Sequence, residues 1–151
     1  MGHTVNSIII NAPYEQVFET SNHIERWTEL FGDEYVKAEV LKREGNEITF
    51  RLTDDEGKSW VSKRWLFKER KLAYAERHDP MFPFKYMKIV WLYTPIDEGI
   101  LLTWIQHFEM NPNAKFNDEK VEGFINEHSQ HNLKIFKNVI EKEAEQTVGR
   151  K

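Results

Sequence analysis

Apolar and polar residues alternate through the middle of the chain, between residues 35 and 110. Neighbouring side chains of a strand point to opposite faces of its sheet, so this alternation predicts strands with one buried face. Turn-forming groups such as Glu44-Gly45-Asn46 separate the alternating runs. With an apolar, β-branched run near the N-terminus, the pattern predicts seven strands, at residues 5–10, 35–42, 47–53, around 60–64, 72–77, 85–94 and 100–110.

Helical spacing of apolar residues follows the first strand. A short helix over residues 14–20 comes after Pro13, and Ser21-Asn22 can cap a second helix that ends at Gly32. The second helix has one apolar face, made of Ile24, Trp27 and Phe31. The pattern therefore predicts two short helices between the first two strands.

A much longer helix is predicted at the C-terminal end. One face repeats at helical spacing over about six turns, and Asn117 or Asp118 can serve as its N-cap. The residues of that face are Val121, Phe124, Ile125, His128, Asn132, Ile135, Val139 and Ile140. A long helix packed on a curved antiparallel sheet belongs to the α+β class. We expect one domain over residues 1–151, ordered from about residue 3 to residue 144, with a flexible tail at 145–151.

Composition narrows the function classes. The aromatic content of 13%, with five Trp and ten Phe, is compatible both with an aromatic-lined ligand cavity and with an ordinary bulky core. A net charge of -4 and the lack of a compact basic run argue against a nucleic-acid-binding protein. The absence of cysteine excludes disulfides, thiol nucleophiles and thiolate metal sites. No apolar segment approaches the length of a spanning helix or a signal peptide core, so we expect a soluble, cytoplasmic protein.

The strand around Trp60 carries the first candidate chemistry. Alternation places Trp60, Ser62 and Arg64 side by side on one face. An arginine that faces inwards keeps its charge, so it needs either an acidic partner or an anionic, carbonyl-rich ligand, and the predicted strands offer no inward carboxylate. The other predicted inward polar groups are Tyr93, Gln106, His128 and Asn132.

Two of these inward groups have simpler explanations. His128 or Asn132 taken singly is more often a buried polar group that a neighbour satisfies than a ligand-binding group. His128 and His131 are three residues apart, but without an inward carboxylate as a third ligand we predict no metal site.

Five sequence motifs then point to a family. In chain order they are Asn6–Pro13, Ile24–Trp27 followed by Glu29–Phe31, Trp60–Arg64, Phe84–Met87 and Trp104–Phe108. Together they resemble bacterial aromatic polyketide aromatase/cyclases of the single-domain type, such as tetracenomycin aromatase/cyclase. The likeness extends from about residue 6 to residue 143.

The resemblance implies a helix-grip, START-like fold, in which a bent sheet wraps the C-terminal helix and leaves a deep internal cavity. It also implies an activity without cofactor or metal. A poly-β-ketone chain on an acyl carrier protein is folded so that an enolate carbon attacks a chosen ketone, and water is then lost to give an aromatic ring. Arg64 and Tyr35 match the leading polar groups of the family and are the expected catalytic residues.

The residues expected to bind the substrate combine the family match with the inward strand and helix faces. They are Trp27, Phe31, Trp60, Ser62, Phe84, Met87, Trp91, Trp104, Gln106, Phe108, His128 and Asn132. The stretch from Phe31 to Tyr35 is one residue longer than in the family, which leaves open whether Tyr35 reaches the cavity. An acidic carrier protein also predicts basic residues near the cavity mouth, for which Lys37, Lys63, Arg70 and Lys71 are available.

Two other function classes stay open. A non-catalytic START-like carrier of a lipid, quinone or sterol would need apolar lining and a polar anchor, but no inward Arg and Tyr. A structural or assembly module could use the outer-face residues Val61, Trp65 and Phe67 as a dimer patch. We expect a monomer or a weak homodimer.

Overall fold

Seven antiparallel strands form one sheet in the computed structural model, which describes residues 1–149 and the side chains through residue 146. The order across the sheet is β1-β7-β6-β5-β4-β3-β2. The strands are β1 (Gly2–Ile10), β2 (Tyr35–Glu44), β3 (Glu47–Asp54), β4 (Ser59–Phe67), β5 (Leu72–Asp79), β6 (Phe84–Ile96) and β7 (Gly99–Met110). Each predicted strand is present, and the ends extend slightly beyond the predicted bounds.

The strands do not pair in one continuous register. β2 shifts against β3 after Tyr35 and again after Val40, β5 shifts against β4 near Val61, and β7 shifts against β6 after Phe84. Irregularities of this kind bend a strand and increase its local twist. They allow the sheet to curve around the helices.

Three α-helices complete the fold: α1 (Tyr14–Ser21), α2 (Trp27–Leu30) and α3 (Asp118–Gly149), with 3-10 turns at Ile24–Arg26 and Lys68–Arg70. Of the two predicted N-caps of α3, Asn117 is the one observed, because its Oδ1 accepts a hydrogen bond of 2.9 Å from Lys120 N. α3 packs against β1, β7 and α1. The predicted α+β arrangement is confirmed. Because α3 continues to Gly149, the tail predicted for 145–151 begins within this helix, and residues 150 and 151 lie outside the described residues.

The buried face of α3 overlaps with the predicted face but does not coincide with it. His128 is exposed and Phe124 is 37% exposed, so the prediction that both face inwards is wrong. Ser129 and Leu133 are buried instead, so the buried stripe lies to one side of the predicted one, although Val121, Asn132 and Ile140 belong to both. Among the α3 residues up to 146, the buried ones are Val121, Ser129, Asn132, Leu133, Phe136, Ile140 and Ala144.

The segment between α1 and α2 also differs from the prediction. His23, whose side chain makes no capping bond, precedes the 3-10 turn, so the prediction that Ser21-Asn22 caps the second helix is wrong. The side chains of Ser21 and Asn22 are buried instead. Ser21 forms a hydrogen bond with Tyr93, and Asn22 accepts one from Arg64. The predicted apolar face of this segment is buried, with Ile24, Trp27 and Phe31 in the main core.

A second, smaller core lies where β6 and β7 meet the start of α3. It contains Met87, Phe108, Met110 and Val121. Phe108 is 0% exposed, and a Cβ atom added to Gly2 would lie 2.1 Å from its Cζ. Only glycine therefore fits opposite this ring.

Two surface predictions can be compared with the fold. The outer-face residues Val61, Trp65 and Phe67 are partly buried, and the Trp65 ring stacks on Tyr74 at 5.7 Å between centroids. Within residues 1–149, none of the helices combines the length and the apolar character needed to span a bilayer.

Candidate functional site

An internal cavity of about 260 Å³ lies between the concave face of the sheet and the segment that contains α2. Ten of the predicted site residues line it: Trp27, Tyr35, Trp60, Ser62, Arg64, Phe84, Met87, Trp91, Trp104 and Gln106. The extra residue before Tyr35 therefore does not remove this side chain from the cavity. Most of the lining is aromatic or aliphatic, as is usual for a ligand-binding site. The polar side chains in the lining are those of Glu34, Tyr35, Ser62, Arg64, Glu76, Arg77 and Gln106.

Arg64 is buried in this wall, with 2% of its surface exposed. Its Nε donates a hydrogen bond of 2.8 Å to Asn22 Oδ1, and its guanidinium carbon lies 3.9 Å from the centroid of the Trp91 ring. None of the ion pairs within residues 1–149 involves Arg64, and its buried Nη2 has no hydrogen-bond partner among the described residues. Burial lowers the pKa of Arg64 to about 10, so the side chain remains a cation at neutral pH.

The indole rings extend the stack beneath the guanidinium. Trp91 and Trp104 are parallel, 4.5 Å apart between centroids with 12° between their planes, and both contact the edge of Phe136. Trp104 Nε1 is a second buried donor that lacks a hydrogen-bond partner among the described residues. Buried donors are nearly always paired, so these two donors of one cavity wall need acceptor atoms from water or from a ligand.

Tyr35 and Glu34 lie together on the same cavity. Burial, and then the neighbouring Glu34 carboxylate, raise the pKa of Tyr35 well above its ordinary value, so the phenol stays protonated. Glu34 Oε2 in turn accepts a hydrogen bond of 2.9 Å from Asn132 Nδ2 on α3. The arrangement places a protonated phenol beside a carboxylate, which are the two partners of a general acid and base.

Sequence reasoning missed Glu34, because it searched for inward carboxylates only on the strands. Glu34 lies in the turn before β2, where Glu34 N and Tyr35 N both bond to Phe31 O. The useful signal was the extra residue in this turn, since a shift of the backbone lets two adjacent side chains reach one wall.

Arg77 is the second missed residue, and it lies at the mouth of the cavity. Its guanidinium carbon is 4.8 Å from the centroid of Trp60, and its Nε and Nη2 donate to Pro80 O and Phe82 O at 2.8 and 3.0 Å. Burial lowers the pKa of Arg77 to about 10. The loop that supplies the two carbonyl groups contains Pro80 and Pro83.

An outer groove of about 660 Å³ continues from the cavity past this constriction. Trp60, Arg77 and Phe84 line both spaces. The groove is also lined by Lys58, Lys115, Phe82 and Phe116. Cavity and groove are therefore neighbouring spaces that share this wall.

Four predicted binding residues do not line the cavity. His128 is exposed on an acidic surface groove with His131 and Asp33, so the prediction that it faces the ligand is wrong. Phe31 and Phe108 pack in the two cores, and Asn132 acts on the cavity only through Glu34. Alternation predicted the correct face of β7 for Phe108, but this part of the strand packs against the start of α3.

Comparison with known proteins gives a consistent result. A family model described as "Polyketide cyclase / dehydrase and lipid transport" matches residues 1–141. A protein of Streptomyces cyaneus named "Putative polyketide cyclase" is 42% identical over 145 residues, which cover 93% of this chain and 94% of that protein. A protein of the same name from Streptomyces halstedii is 44% identical over 109 residues, covering 69% of this chain and 98% of that protein.

Solved structures agree on the fold. Zhui aromatase/cyclase from Streptomyces sp. R1128 superimposes with a TM-score of 0.76 at 19% identity, covering 97% of this chain and 94% of that one. A START superfamily protein from Mycobacterium smegmatis gives a TM-score of 0.73 at 15% identity, with 97% and 99% coverage. The predicted helix-grip, START-like fold is confirmed.

Proposed function

Because the chain belongs to the family of polyketide cyclases, dehydrases and lipid-transport proteins, we propose that it is an aromatase/cyclase. Its substrate would be a poly-β-ketone on an acyl carrier protein, and its reaction a directed aldol cyclisation followed by dehydration, without a cofactor. The observation that carries this proposal is the pair of unpaired buried donors, Arg64 Nη2 and Trp104 Nε1, in an aromatic cavity. Such donors suit a substrate with many carbonyl oxygens.

The first step removes a proton from the carbon between two ketones. Glu34 takes this proton as its carboxylate, and the electron pair moves onto the ketone oxygen to form an enolate. Arg64 donates through Nη2 to the enolate oxygen and stabilises its negative charge in a site of low dielectric constant. The aromatic stack holds the folded chain, so that the nucleophilic carbon and the chosen ketone are adjacent.

The second step forms the carbon–carbon bond. The enolate carbon attacks the ketone carbon, and the ketone oxygen, which gains the electron pair, takes the proton of Tyr35. The protonated Glu34 returns its proton to Tyr35. Dehydration then repeats the cycle, since Glu34 removes the second proton from the same carbon while Tyr35 protonates the departing hydroxyl, which leaves as water.

The size of the site fits a tethered chain. The inner cavity of about 260 Å³ is below the range of roughly 300–1,000 Å³ typical of small-molecule sites, so it would hold only the ring-forming end. The outer groove of about 660 Å³ would hold the remainder and its link to the carrier. Lys58 and Lys115 line this groove and suit an acidic carrier protein, whereas Lys37, Lys63, Arg70 and Lys71, proposed from sequence, do not line it. The cytoplasmic location stays a prediction.

A hydrophobic-ligand carrier is the alternative that the family name also contains. A lipid or sterol that inserts only its hydrocarbon part would leave Arg64 Nη2 and Trp104 Nε1 unpaired in the bound state, at a cost of about 1–3 kcal/mol for each donor. The proposed substrate pairs both donors. Supplying the protein to a minimal polyketide synthase and comparing the products with a control that lacks it separates the two functions, because a carrier would not change which rings form.

Replacing Tyr35 by phenylalanine should lower the ratio of directed to spontaneous cyclisation products by about 10-fold. This is less than the 10²–10⁴-fold typical of acid–base catalysis, because water in the cavity can supply part of the proton transfer. Glu34→Gln should have an effect of similar size, and the Tyr35→Phe, Glu34→Gln double variant should be little worse than either single variant, since the pair exchanges one proton. Fully additive losses in the product ratio would show that the two residues act separately.

A further inference from the structure

Asn22 lies at the C-terminal end of α1, 5% exposed and far along the chain from the strand that it contacts. Its Oδ1 accepts from Arg64 Nε at 2.8 Å. Its Nδ2 donates to Tyr93 Oη and to Phe18 O, both at 2.9 Å. An asparagine amide has two donor hydrogens and one carbonyl oxygen, so each of these groups is used.

These bonds allow only one orientation of the amide. Rotating the amide by 180° would place its NH₂ group against the Arg64 Nε–H and its oxygen against the carbonyl of Phe18. Both contacts would be repulsive. The carbonyl oxygen of Asn22 must therefore face Arg64.

The groups behind Asn22 are also neutral. Tyr93 Oη is 2.7 Å from Ser21 Oγ, and burial raises the pKa of Tyr93 to about 12, so the phenol carries no charge at neutral pH. The hydrogen-bonded partner of the Arg64 Nε is thus an amide whose NH₂ group donates to a neutral hydroxyl and to a backbone carbonyl. A carboxylate in the same place would neutralise the guanidinium, and an amide does not.

Two contacts hold the guanidinium most closely, while Trp27, at 5.7 Å from its carbon to the ring centroid, and Tyr93 lie beside it. The bond from Nε to Asn22 fixes the point at which the group is held, and stacking at 3.9 Å on Trp91 fixes its plane. Neither contact uses Nη2, which has no partner among residues 1–149. The positive charge and one donor therefore stay available.

We propose that Asn22 is a positioning residue, which orients the Arg64 guanidinium by a neutral hydrogen bond and so leaves its charge and its Nη2 free for a substrate oxygen. The geometric part of this proposal concerns only the protein. The part that names a substrate oxygen rests on the proposed cyclase function.

The geometric part is tested without substrate, by NMR of the Arg64 ¹⁵Nε–¹H group, whose signal is assigned by its loss in Arg64→Met. In the wild type we expect a separate signal with slow hydrogen exchange. Asn22→Leu should increase its exchange rate by at least about 10-fold, because the hydrogen bond to a charged donor is lost. Ser21→Ala is the matched control, since it removes a bond to Tyr93 Oη from the same helix end and does not touch Arg64. An exchange rate in Asn22→Leu equal to that in Ser21→Ala would overturn the proposal.

Asn22→Asp keeps the acceptor for Arg64 and adds the charge that the proposal excludes. It loses the two bonds that Nδ2 donates to Phe18 O and Tyr93 Oη, so it is compared with the wild type at a temperature where circular dichroism shows the variant folded. We expect its Arg64 Nε–H to exchange as slowly as in the wild type, while the ratio of directed to spontaneous cyclisation products falls about 10-fold. The ratio should stay within about twofold of the wild-type value in Ser21→Ala. In an Arg64→Met background, neither substitution of Asn22 should change the ratio further.

The two readouts separate the two proposals. If the wild type yields no directed product while the Nε–H signal behaves as expected, the cyclase function fails and the positioning by Asn22 stands. If Asn22→Asp retains the wild-type product ratio, a free charge on Arg64 is unnecessary and the inference is wrong.

Discussion

Arg64→Met is expected to give a folded protein that has lost the ability to direct cyclisation. The ratio of directed to spontaneous products should fall by about 100-fold, the usual effect of removing one donor that stabilises a developing oxyanion. The free energy of unfolding should not show a comparable loss. Arg64 is a buried cation without an ion-pair partner within residues 1–149, so its removal relieves the cost of burying a charge. This gain offsets the loss of the hydrogen bond to Asn22 Oδ1, and the free energy of unfolding should change by no more than about 2 kcal/mol.

A loss of directed cyclisation without a large loss of stability distinguishes a functional arginine from a structural one. Urea denaturation measures the stability. Arg43→Met is the control for the loss of a positive charge, because Arg43 pairs with Glu25 at the surface. The control should change stability by less than about 0.5 kcal/mol and leave the products unchanged. A loss of about 3 kcal/mol or more in Arg64→Met would mean that the fold itself depends on this side chain.

Phe108→Ala is expected to destabilise the protein by about 3–5 kcal/mol, because it empties a site in a closed core. The side chain is 0% exposed and its ring contacts Phe84 at 5.9 Å between centroids. It does not line the cavity. At temperatures where the variant is still folded, its product distribution should therefore match that of the wild type.

Phe84→Ala is the matched comparison, since the two rings touch and only Phe84 lies at the constriction between cavity and groove. Its side chain is only partly buried, so we expect a loss of about 1–2 kcal/mol in the free energy of unfolding. The wider constriction should change the product distribution. Denaturant unfolding and product profiles of both variants test whether Phe108 acts in the core and Phe84 in the binding site. A changed product profile in folded Phe108→Ala would show that Phe108 also contributes to the binding site.

The sheet and the shared face of the Trp60 strand could be predicted from sequence because both depend on a period of two, whereas the inward direction of that face was expected from the facing strands and the family resemblance. Trp60, Ser62 and Arg64 share a face whatever the rest of the chain does. Alternation also predicted the inward face of β7 that carries Trp104 and Phe108. It could not show which part of that face borders the cavity, because the position of α3 along the strand decides this.

The partner of Arg64 could not be predicted in the same way. Asn22 is 42 positions away in sequence, and its residue type is typical of a helix cap, which is the role that local reasoning assigned to it. Glu34 could not be predicted either, because it lies in a turn, where strand alternation does not show which way a side chain points. His128 was misplaced because two neighbouring stripes of α3 both carry apolar residues, and only packing against the sheet selects between them.

The most direct test of the proposed function is the product profile of a minimal polyketide synthase, run with the wild-type protein, with Arg64→Met and with no added protein. The account predicts a regiospecifically cyclised, aromatised product as the main species with the wild type. Both other reactions should give the mixture of spontaneously cyclised products. A wild-type profile identical to that of the reaction without protein would contradict the proposed aromatase/cyclase function.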